Sequence, residues 1–146
     1  MTDLPEGVVR LVETAIVRSP YGTLLGARLE EASEGRVRVR VPYRSELATF
    51  GDTVHGGVLA GAIDVAATAA FWASASITPG ARGTTIGFTV SFVSAARGQD
   101  LVASAVVRRR GREISTGEVT VTDADGREVA IALVTYKLSA PSPTET

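Results

Sequence analysis

The sequence predicts an α+β domain in which one long central helix is wrapped by a curved antiparallel sheet of five or six strands. An apolar run from about His55 to Ser76 is long enough for a helix that crosses a small domain. After Thr84, four segments rich in Val, Ile and Thr are separated by short turn-forming stretches. A chain of 146 residues has the length of one domain. We therefore expect a single domain over residues 1–139 and a disordered, proline-bearing tail over residues 140–146.

The first third of the chain predicts one helix and two strands. Leu4–Arg18 has apolar side chains at helical spacing, which predicts a helix. The Ser19–Gly22 segment is typical of a turn between two secondary-structure elements. Thr23–Ala32 is interpreted as a strand. Arg36–Val41 alternates Val with Arg, which is typical of a strand with one buried and one solvated face. Pro42–Val54 is polar and predicted to be irregular before the central helix.

The remaining strands follow the central helix. Their tight turns predict an antiparallel meander. The predicted strands are Thr84–Ala95, Asp100–Arg109, Glu113–Thr122 and Glu128–Leu138.

Composition excludes several classes of function. The formal net charge of −1 argues against nucleic-acid binding, which needs a strongly basic domain. There is no Cys, and His55 is the only His, which excludes Cys-based zinc sites, a catalytic thiol and a His-rich metal site. We therefore expect no metal and no cofactor.

The apolar run over residues 58–75 is a candidate membrane span, but Asp64 lies near its centre. A charge there costs roughly 2.5–3.5 kcal/mol on insertion scales. No secretory signal is recognisable at the N-terminus. We expect a soluble, cytoplasmic protein that does not bind membranes.

The segment Gly51–Gly57, which contains His55-Gly56-Gly57, runs directly into the central helix. A helix N-terminus offers free backbone N–H groups and a partial positive charge, which suit a developing oxyanion. Two glycines there remove the Cβ atoms that would keep a ligand's carbonyl group away. Asp64 follows within the same apolar helix, where a lone carboxylate is costly unless it is paired or used in chemistry.

The spacing of these residues predicts self-association. Gly56 and Asp64 are eight residues apart, or about 12 Å along a helix axis. One substrate carbonyl cannot contact both in the same subunit. If both serve one reaction, two subunits must meet, so we expect a dimer or tetramer.

This segment resembles the acyl-CoA thioesterases of the hotdog superfamily, in particular the PaaI-like branch of phenylacetic acid degradation. The resemblance covers roughly Leu24–Leu138. It implies that the Gly56 N–H polarises a thioester carbonyl and that Asp64 is the nucleophile or general base. It also implies a hydroxyl one helical turn later, matched by Thr68, and another at the start of the next strand.

The hydroxyl in the next strand is best matched by Thr85 or its neighbour Thr84. Many members of the family carry Asn or Gln six residues before the His, where this chain has Thr49. We include Thr49 and Gly57 among the residues expected to contact substrate. For His55, a positional role through a hydrogen bond to nearby backbone is favoured over an acid–base role.

Arginines near one strand end are candidates for binding the phosphates of coenzyme A, because guanidinium groups suit phosphate geometry. They are Arg109 and Arg110, within a cluster that includes Arg112, and Arg82 before the third strand. The alternative is a solvated hairpin, which is the usual explanation of such a run of charges. Phe71 and Trp72 are interpreted as core or interface aromatics.

Two functions follow from these observations. The leading one is an enzyme that hydrolyses acyl-CoA or acyl-carrier thioesters, with coenzyme A as part of the substrate. The alternative is a non-catalytic dimer of the same fold that binds acyl-CoA or another apolar ligand. The presence of Thr49 in place of Asn or Gln favours this alternative.

Overall fold

The computed structural model describes residues 3–141. Its helices are α1 (Glu6–Leu11), α2 (Pro20–Leu25) and α3 (Gly56–Trp72). A π-helical segment, Val12–Val17, continues α1, and a 3₁₀ turn spans Ser45–Leu47. The strands are β1 (Arg28–Ser33), β2 (Arg36–Val41), β3 (Ala48–Phe50), β4 (Thr53–Val54), β5 (Arg82–Phe92), β6 (Leu101–Arg110), β7 (Ile114–Thr122) and β8 (Glu128–Ser139).

Six strands form one antiparallel sheet in the order β1-β2-β6-β7-β8-β5, and β3 and β4 form a separate hairpin. The long helix α3 packs on the inner face of this sheet. The predicted α+β architecture with a central helix and a six-stranded sheet is confirmed. Within the described residues, no helix is long and apolar enough to cross a membrane.

The meander prediction holds for β6, β7 and β8 but is wrong for β5. This strand pairs with β8 at the edge of the sheet and does not contact β6 as a hairpin partner. The linker between β5 and β6 contacts β4, where the Val54 N–H donates to the Ala96 carbonyl at 2.8 Å. The linker thus carries the chain across the end of the sheet, which a tight turn could not do.

The prediction of a strand from Thr23 is also wrong at its start, because α2 occupies this part of the chain. The Ser19 side chain accepts a 3.1 Å hydrogen bond from the Gly22 N–H, and Pro20 occupies the first helical turn. Both are strong helix-starting features. Gly26, with φ 79°, ends α2 in the left-handed conformation before β1 begins.

The central helix ends at Trp72, four residues earlier than predicted, because other elements bind its last turn. The Arg110 guanidinium donates to the carbonyls of Phe71 (3.0 Å) and Ala70 (3.5 Å). Beyond the helix, Glu34 accepts hydrogen bonds from the Ser74 hydroxyl at 2.7 Å and the Ala75 N–H at 2.8 Å. These tertiary contacts replace the continuing helical hydrogen bonds.

Most of α3 is buried, and one stripe of its surface remains open. The buried residues include Ile63, Ala66 and Phe71. The open stripe recurs every three or four residues and therefore follows one helix face. Its members, exposed or partly exposed, are Gly57, Ala60, Gly61, Asp64, Thr68 and Trp72. The predicted tail is described only at Ala140 and Pro141, and residues 142–146 lie outside the described part of the chain.

Candidate active site

The entrance of α3 is built around His55, which is the N-cap residue. Its Nδ1 accepts a 2.7 Å hydrogen bond from the Gly57 N–H, and its own N–H donates to the Leu47 carbonyl at 2.8 Å. The first bond satisfies one of the free N–H groups of the helix N-terminus. It also turns the ring back on the helix, as expected for the positional role of His55.

Gly56, the first residue of α3, keeps its backbone N–H free. Within the described residues this N–H has no hydrogen-bond acceptor, and Gly56 is partly exposed. A Cβ added at Gly56 would lie 3.4 Å from the Phe92 ring, which is ordinary contact. An unused N–H at a helix N-terminus, with the helix dipole behind it, is a donor for an oxygen that gains negative charge.

Asp64 lies two turns further along α3 on its open face. Its Oδ1 accepts a 2.7 Å hydrogen bond from the Thr85 hydroxyl on β5. Thr68, one turn after Asp64 on the same stripe, makes no side-chain hydrogen bond within the described residues. Thr85 is therefore the hydroxyl that holds the carboxylate, while Thr68 lines the open face beside it.

A β-bulge allows Thr85 to face the helix. The register between β5 and β8 shifts between Thr85 and Gly87, which leaves Ile86 as the extra residue. Phe88, opposite the buried Val134, also faces the helix. Without the extra residue, strict alternation along the strand would turn either Thr85 or Phe88 to the outer face.

Tyr136 supports this part of β5 from the neighbouring strand. It pairs with Thr85 across the sheet, and it is 3% exposed. Its hydroxyl accepts a 2.8 Å hydrogen bond from the Trp72 indole, and its ring stacks on Phe71 with 4.9 Å between centroids. Gly83 leaves room for the phenol, since a Cβ there would lie 2.3 Å from the Tyr136 hydroxyl.

The environment of Tyr136 favours the neutral phenol. Burial raises the pKa of Tyr136, the hydrogen bond from Trp72 lowers it, and the negative charge of Asp64 raises it further. The phenol therefore stays protonated beside the carboxylate.

The structure separates several residues that the sequence grouped together. Thr84 pairs with Lys137 on the outer face and lies on the opposite side of β5 from Thr85, so it does not contact Asp64. Thr49 is exposed on β3, whose hairpin partner β4 leads to His55. Arg82 is the first residue of β5 and pairs with Ser139, rather than lying in the preceding loop.

The arginine cluster is divided between the two faces of the sheet. A register shift between Val107 and Arg109 leaves Arg108 as a bulged residue. Arg109 pairs with Thr116 on the outer face, whereas Arg110 faces the helix and holds its last carbonyls. Arg110 thus has a structural role at the helix C-terminus, where a cation is stabilising, and its expected phosphate role stays a prediction.

Sequence analysis did not find the supporting roles of Tyr136, Gly83 and Ile86. Glycines at positions 83 and 87 on either side of the threonine pair were a weak signal for irregular backbone in this strand. Pairing between β5 and β8, which brings Tyr136 to this place, has no local signal.

The sequence profile described as Thioesterase superfamily matches residues 51–130. The chain belongs to the thioesterase superfamily. The matched region contains the entrance of α3, the whole helix and β5 to β7, so it includes His55, Gly56, Asp64 and Thr85 but not Thr49 or Tyr136.

Relatives and solved structures of this superfamily agree with the assignment. A Halobacterium salinarum protein, whose name assigns it provisionally to the esterases, is 34% identical over 125 residues, or 80% of this chain and 82% of that protein. A thioesterase family protein from Silicibacter pomeroyi has a TM-score of 0.85 at 26% identity, and covers 92% of this chain and 100% of its own.

Two further structures share the hotdog thioesterase fold. The PaaI protein of the E. coli phenylacetic acid degradation operon has a TM-score of 0.84 at 18% identity, over 96% of this chain and 99% of its own. A hypothetical thioesterase from Streptococcus pneumoniae, solved with coenzyme A, has a TM-score of 0.70 at 20% identity, over 78% of this chain and 86% of its own.

Proposed function

We propose that this protein hydrolyses the thioester of an acyl-CoA, or of a related acyl carrier, to a free acid and a thiol. The observation that carries the proposal is that α3 presents a free Gly56 N–H at its start and a Thr85-bound Asp64 on its open face. Membership of the thioesterase superfamily supports thioester hydrolysis in general. The coenzyme A in the Streptococcus pneumoniae structure supports a carrier of that class.

In this proposal the Gly56 N–H binds the carbonyl oxygen of the thioester. As the carbonyl carbon becomes tetrahedral, that oxygen gains negative charge, and the N–H together with the helix dipole stabilises it. His55 contributes by holding the Gly57 N–H, and so fixes the backbone around the donor.

Asp64 brings an oxygen atom to the carbonyl carbon by one of two routes, as a nucleophile or as a general base. In the first, its carboxylate adds to the carbonyl carbon, the C–S bond breaks, the thiolate takes a proton, and water hydrolyses the resulting anhydride. In the second, Asp64 takes a proton from water, which adds to the carbonyl carbon before the C–S bond breaks. Both routes consume one water molecule, and both use the Thr85 hydrogen bond to orient the carboxylate.

Both groups can act on one carbonyl only if two subunits share a site. Gly56 and Asp64 lie on the same helix, about 12 Å apart along its axis. A two-fold dimer would bring Gly56 of one subunit to Asp64 of the other and create two equivalent sites. The small residue Ala60 on the open stripe of α3 allows close approach of a second helix, whereas Gly61 accommodates the Tyr21 side chain, because a Cβ at Gly61 would overlap the Tyr21 hydroxyl.

The edge strand β5 offers the surface for such a dimer. It is the last strand of the sheet, so one side of its backbone has no partner strand among residues 3–141. Its exposed apolar side chains include Ile86 (57% exposed) and Phe92 (56% exposed). An unpaired, apolar edge strand favours pairing with another chain, here a second copy.

The proposal is tested by following free thiol release from short, medium, long and aromatic acyl-CoAs. We expect turnover with at least one class. Asp64→Asn keeps the shape of the side chain and should lower kcat by roughly 10²–10⁴ while the protein remains folded. Turnover at the uncatalysed rate on every class, or a folded Asp64→Asn protein that loses less than threefold, would contradict the proposal.

A further inference from the structure

The Tyr21 side chain of α2 lies on the open stripe of α3, at Gly61. A Cβ at Gly61 would overlap the Tyr21 hydroxyl and would lie 3.0 Å from the ring carbon that carries it. A glycine inside a helix is less stable than an alanine, and α3 is otherwise rich in alanine. Gly61 therefore provides the room in which the phenol rests against the helix.

This contact places the phenol between the two groups that the proposed mechanism uses. Gly61 is three residues before Asp64, about 4.5 Å along the axis, and on the same face of the helix. Gly56 is five residues before Gly61, or about 7.5 Å along the axis. Tyr21 is thus closer to the Asp64 of its own subunit than to the Gly56 of that subunit.

The position of Tyr21 is fixed because α2 is anchored at both ends. At its start, the Ser19 side chain accepts a hydrogen bond from the Gly22 N–H at 3.1 Å. At its end, the Arg44 guanidinium donates to the Leu25 carbonyl at 3.0 Å, where a cation also stabilises the helix dipole. The helix α2 therefore holds the base of the Tyr21 side chain in place, while α3 supports its ring.

Tyr21 is exposed in a single subunit although its ring is apolar. Its exposed fraction is 47%, and its hydroxyl makes no hydrogen bond within residues 3–141. Leu24, one turn later on the same side of α2, is 66% exposed. These two side chains therefore form an apolar wall beside the open stripe, rather than a hydrogen-bonded anchor.

The proposed dimer brings this wall close to its two-fold axis. When Gly56 of one subunit lies opposite Asp64 of the other, the axis passes α3 at the midpoint between these positions, which is Ala60. Gly61 is the next residue along the helix. The Tyr21 ring therefore lies between the two-fold axis and the site to which its own subunit contributes Asp64.

The two directions along the stripe from the carboxylate differ in chemistry. Toward the C-terminal end of α3, Thr68 and Trp72 are partly exposed and lead away from the two-fold axis. Toward the axis, Ala60 and Gly61 present no polar side chain. The polar amides and phosphates of a carrier suit the first direction, whereas an apolar acyl group suits the second, which ends at Tyr21.

We propose that the Tyr21 ring closes the acyl end of the site and so limits the length of the acyl group that the protein accepts. This inference rests on the proposed thioesterase function and names a residue that determines its specificity. A chain longer than the space up to the ring must either displace the phenol from Gly61 or leave its last methylene groups in water. Each methylene left in water forgoes about a fourfold gain in affinity.

The test follows thiol release from straight-chain acyl-CoAs of increasing length, from acetyl to palmitoyl. Wild-type kcat/KM should rise with each added carbon up to one length and fall beyond it. Tyr21→Ala removes the ring and should raise kcat/KM about tenfold or more for the chains beyond that length, because two or more further methylene groups become buried. Tyr21→Phe keeps the ring and should keep the wild-type length limit.

Two further variants exclude a general loosening of α2 as the cause. Thr23→Val removes the hydrogen bond that the Thr23 hydroxyl donates to the Arg18 carbonyl at 3.0 Å and leaves the apolar wall intact, so this matched control should keep the wild-type limit. Tyr21→Leu should raise the limit by less than Tyr21→Ala, and it replaces that variant if thermal unfolding shows that Tyr21→Ala does not fold. A wild-type protein without a length limit, or an equal limit in the Tyr21→Leu, Thr23→Val and wild-type proteins, would overturn the proposal.

Binding of analogues that cannot be hydrolysed separates this proposal from the proposed function. In S-(2-oxoalkyl)-coenzyme A a methylene group lies between the sulfur and the carbonyl, so there is no thioester to cleave. Calorimetry should show that Tyr21→Ala binds the long-chain analogues about tenfold or more tightly than the wild-type protein does, and binds the short ones equally.

That binding result without turnover of any acyl-CoA would reject the enzyme and keep the role of Tyr21 in acyl binding. Turnover by a wild-type protein whose binding depends on chain length in the same way as that of Tyr21→Ala would reject the role of Tyr21 alone. Failure of both proteins to bind any analogue would also overturn the role of Tyr21.

Discussion

Thr85 Oγ1 donates a 2.7 Å hydrogen bond to Asp64 Oδ1, which joins the edge strand β5 to the middle of α3. The bond exists because Ile86 is bulged and Thr85 therefore faces the helix. It orients a carboxylate that would otherwise be free to rotate on an apolar helix. In the proposed mechanism the rest of the candidate site depends on this orientation, because Asp64 acts there on a carbonyl that the other subunit holds.

Thr85→Val should lower kcat about ten- to hundredfold, because the carboxylate loses a hydrogen bond of the charge-assisted kind. Thr85→Ser keeps the hydroxyl and should restore most of the activity. Thr84→Val removes a hydroxyl from the outer face of the same strand and serves as the matched control. Steady-state kinetics would contradict the account if Thr84→Val and Thr85→Val reduced kcat equally.

Gly83→Ala should destabilise the protein by about 1–3 kcal/mol, since the new methyl group would overlap the Tyr136 hydroxyl. Denaturant unfolding measures this free energy. Gly87→Ala is the matched control in the same strand, because a Cβ at Gly87 meets nothing within 4 Å. Similar losses of unfolding free energy in both variants would contradict the idea that packing against Tyr136 requires a glycine at position 83.

The entrance of the central helix could be predicted from the sequence because its signals are local. His55 caps the helix, Gly56 and Gly57 bring backbone N–H groups to the surface, and Asp64 interrupts an apolar run. Each of these features depends on residues within a few positions of one another. The helix itself and the alternating strand Arg36–Val41 were predictable for the same reason.

The remaining features depend on contacts between distant segments. The helix ends at Trp72 because Arg110, from a later strand, binds its last carbonyls. Bulges at Ile86 and Arg108 decide which neighbouring residues face the helix. Strict alternation along the strand would assign the residues on one side of each bulge to the wrong face of the sheet. The order of strands, which places Tyr136 beside Thr85, is likewise a property of the assembled sheet.

Substitutions at Thr49 separate hydrolysis from binding. Thr49 is exposed at the hairpin that leads to His55, where its hydroxyl or a bound water could reach the substrate carbonyl. Thr49→Val should lower kcat about tenfold with a modest change in KM, since a peripheral donor contributes less than a direct one. Thr49→Asn should keep or raise activity. A wild-type protein that binds acyl-CoA tightly by calorimetry but never hydrolyses it would favour the non-catalytic alternative.

The central claim is that Gly56 of one subunit and Asp64 of its partner form a single catalytic site. Complementation between two inactive variants tests it. Gly56→Val crowds the carbonyl site at the start of α3, and Asp64→Asn removes the carboxylate. Each variant alone should be nearly inactive, with thermal unfolding confirming that both fold.

Co-expression of the two variants should produce mixed dimers with one intact site, formed by Gly56 of the Asp64→Asn subunit and Asp64 of the Gly56→Val subunit. Random pairing should then restore about one quarter of the wild-type activity per subunit in the unfractionated mixture, and about one half in purified mixed dimers. Measuring thiol release from the purified mixed dimers gives the decisive result. Activity no higher than the mean of the two separate variants would contradict a site shared between subunits.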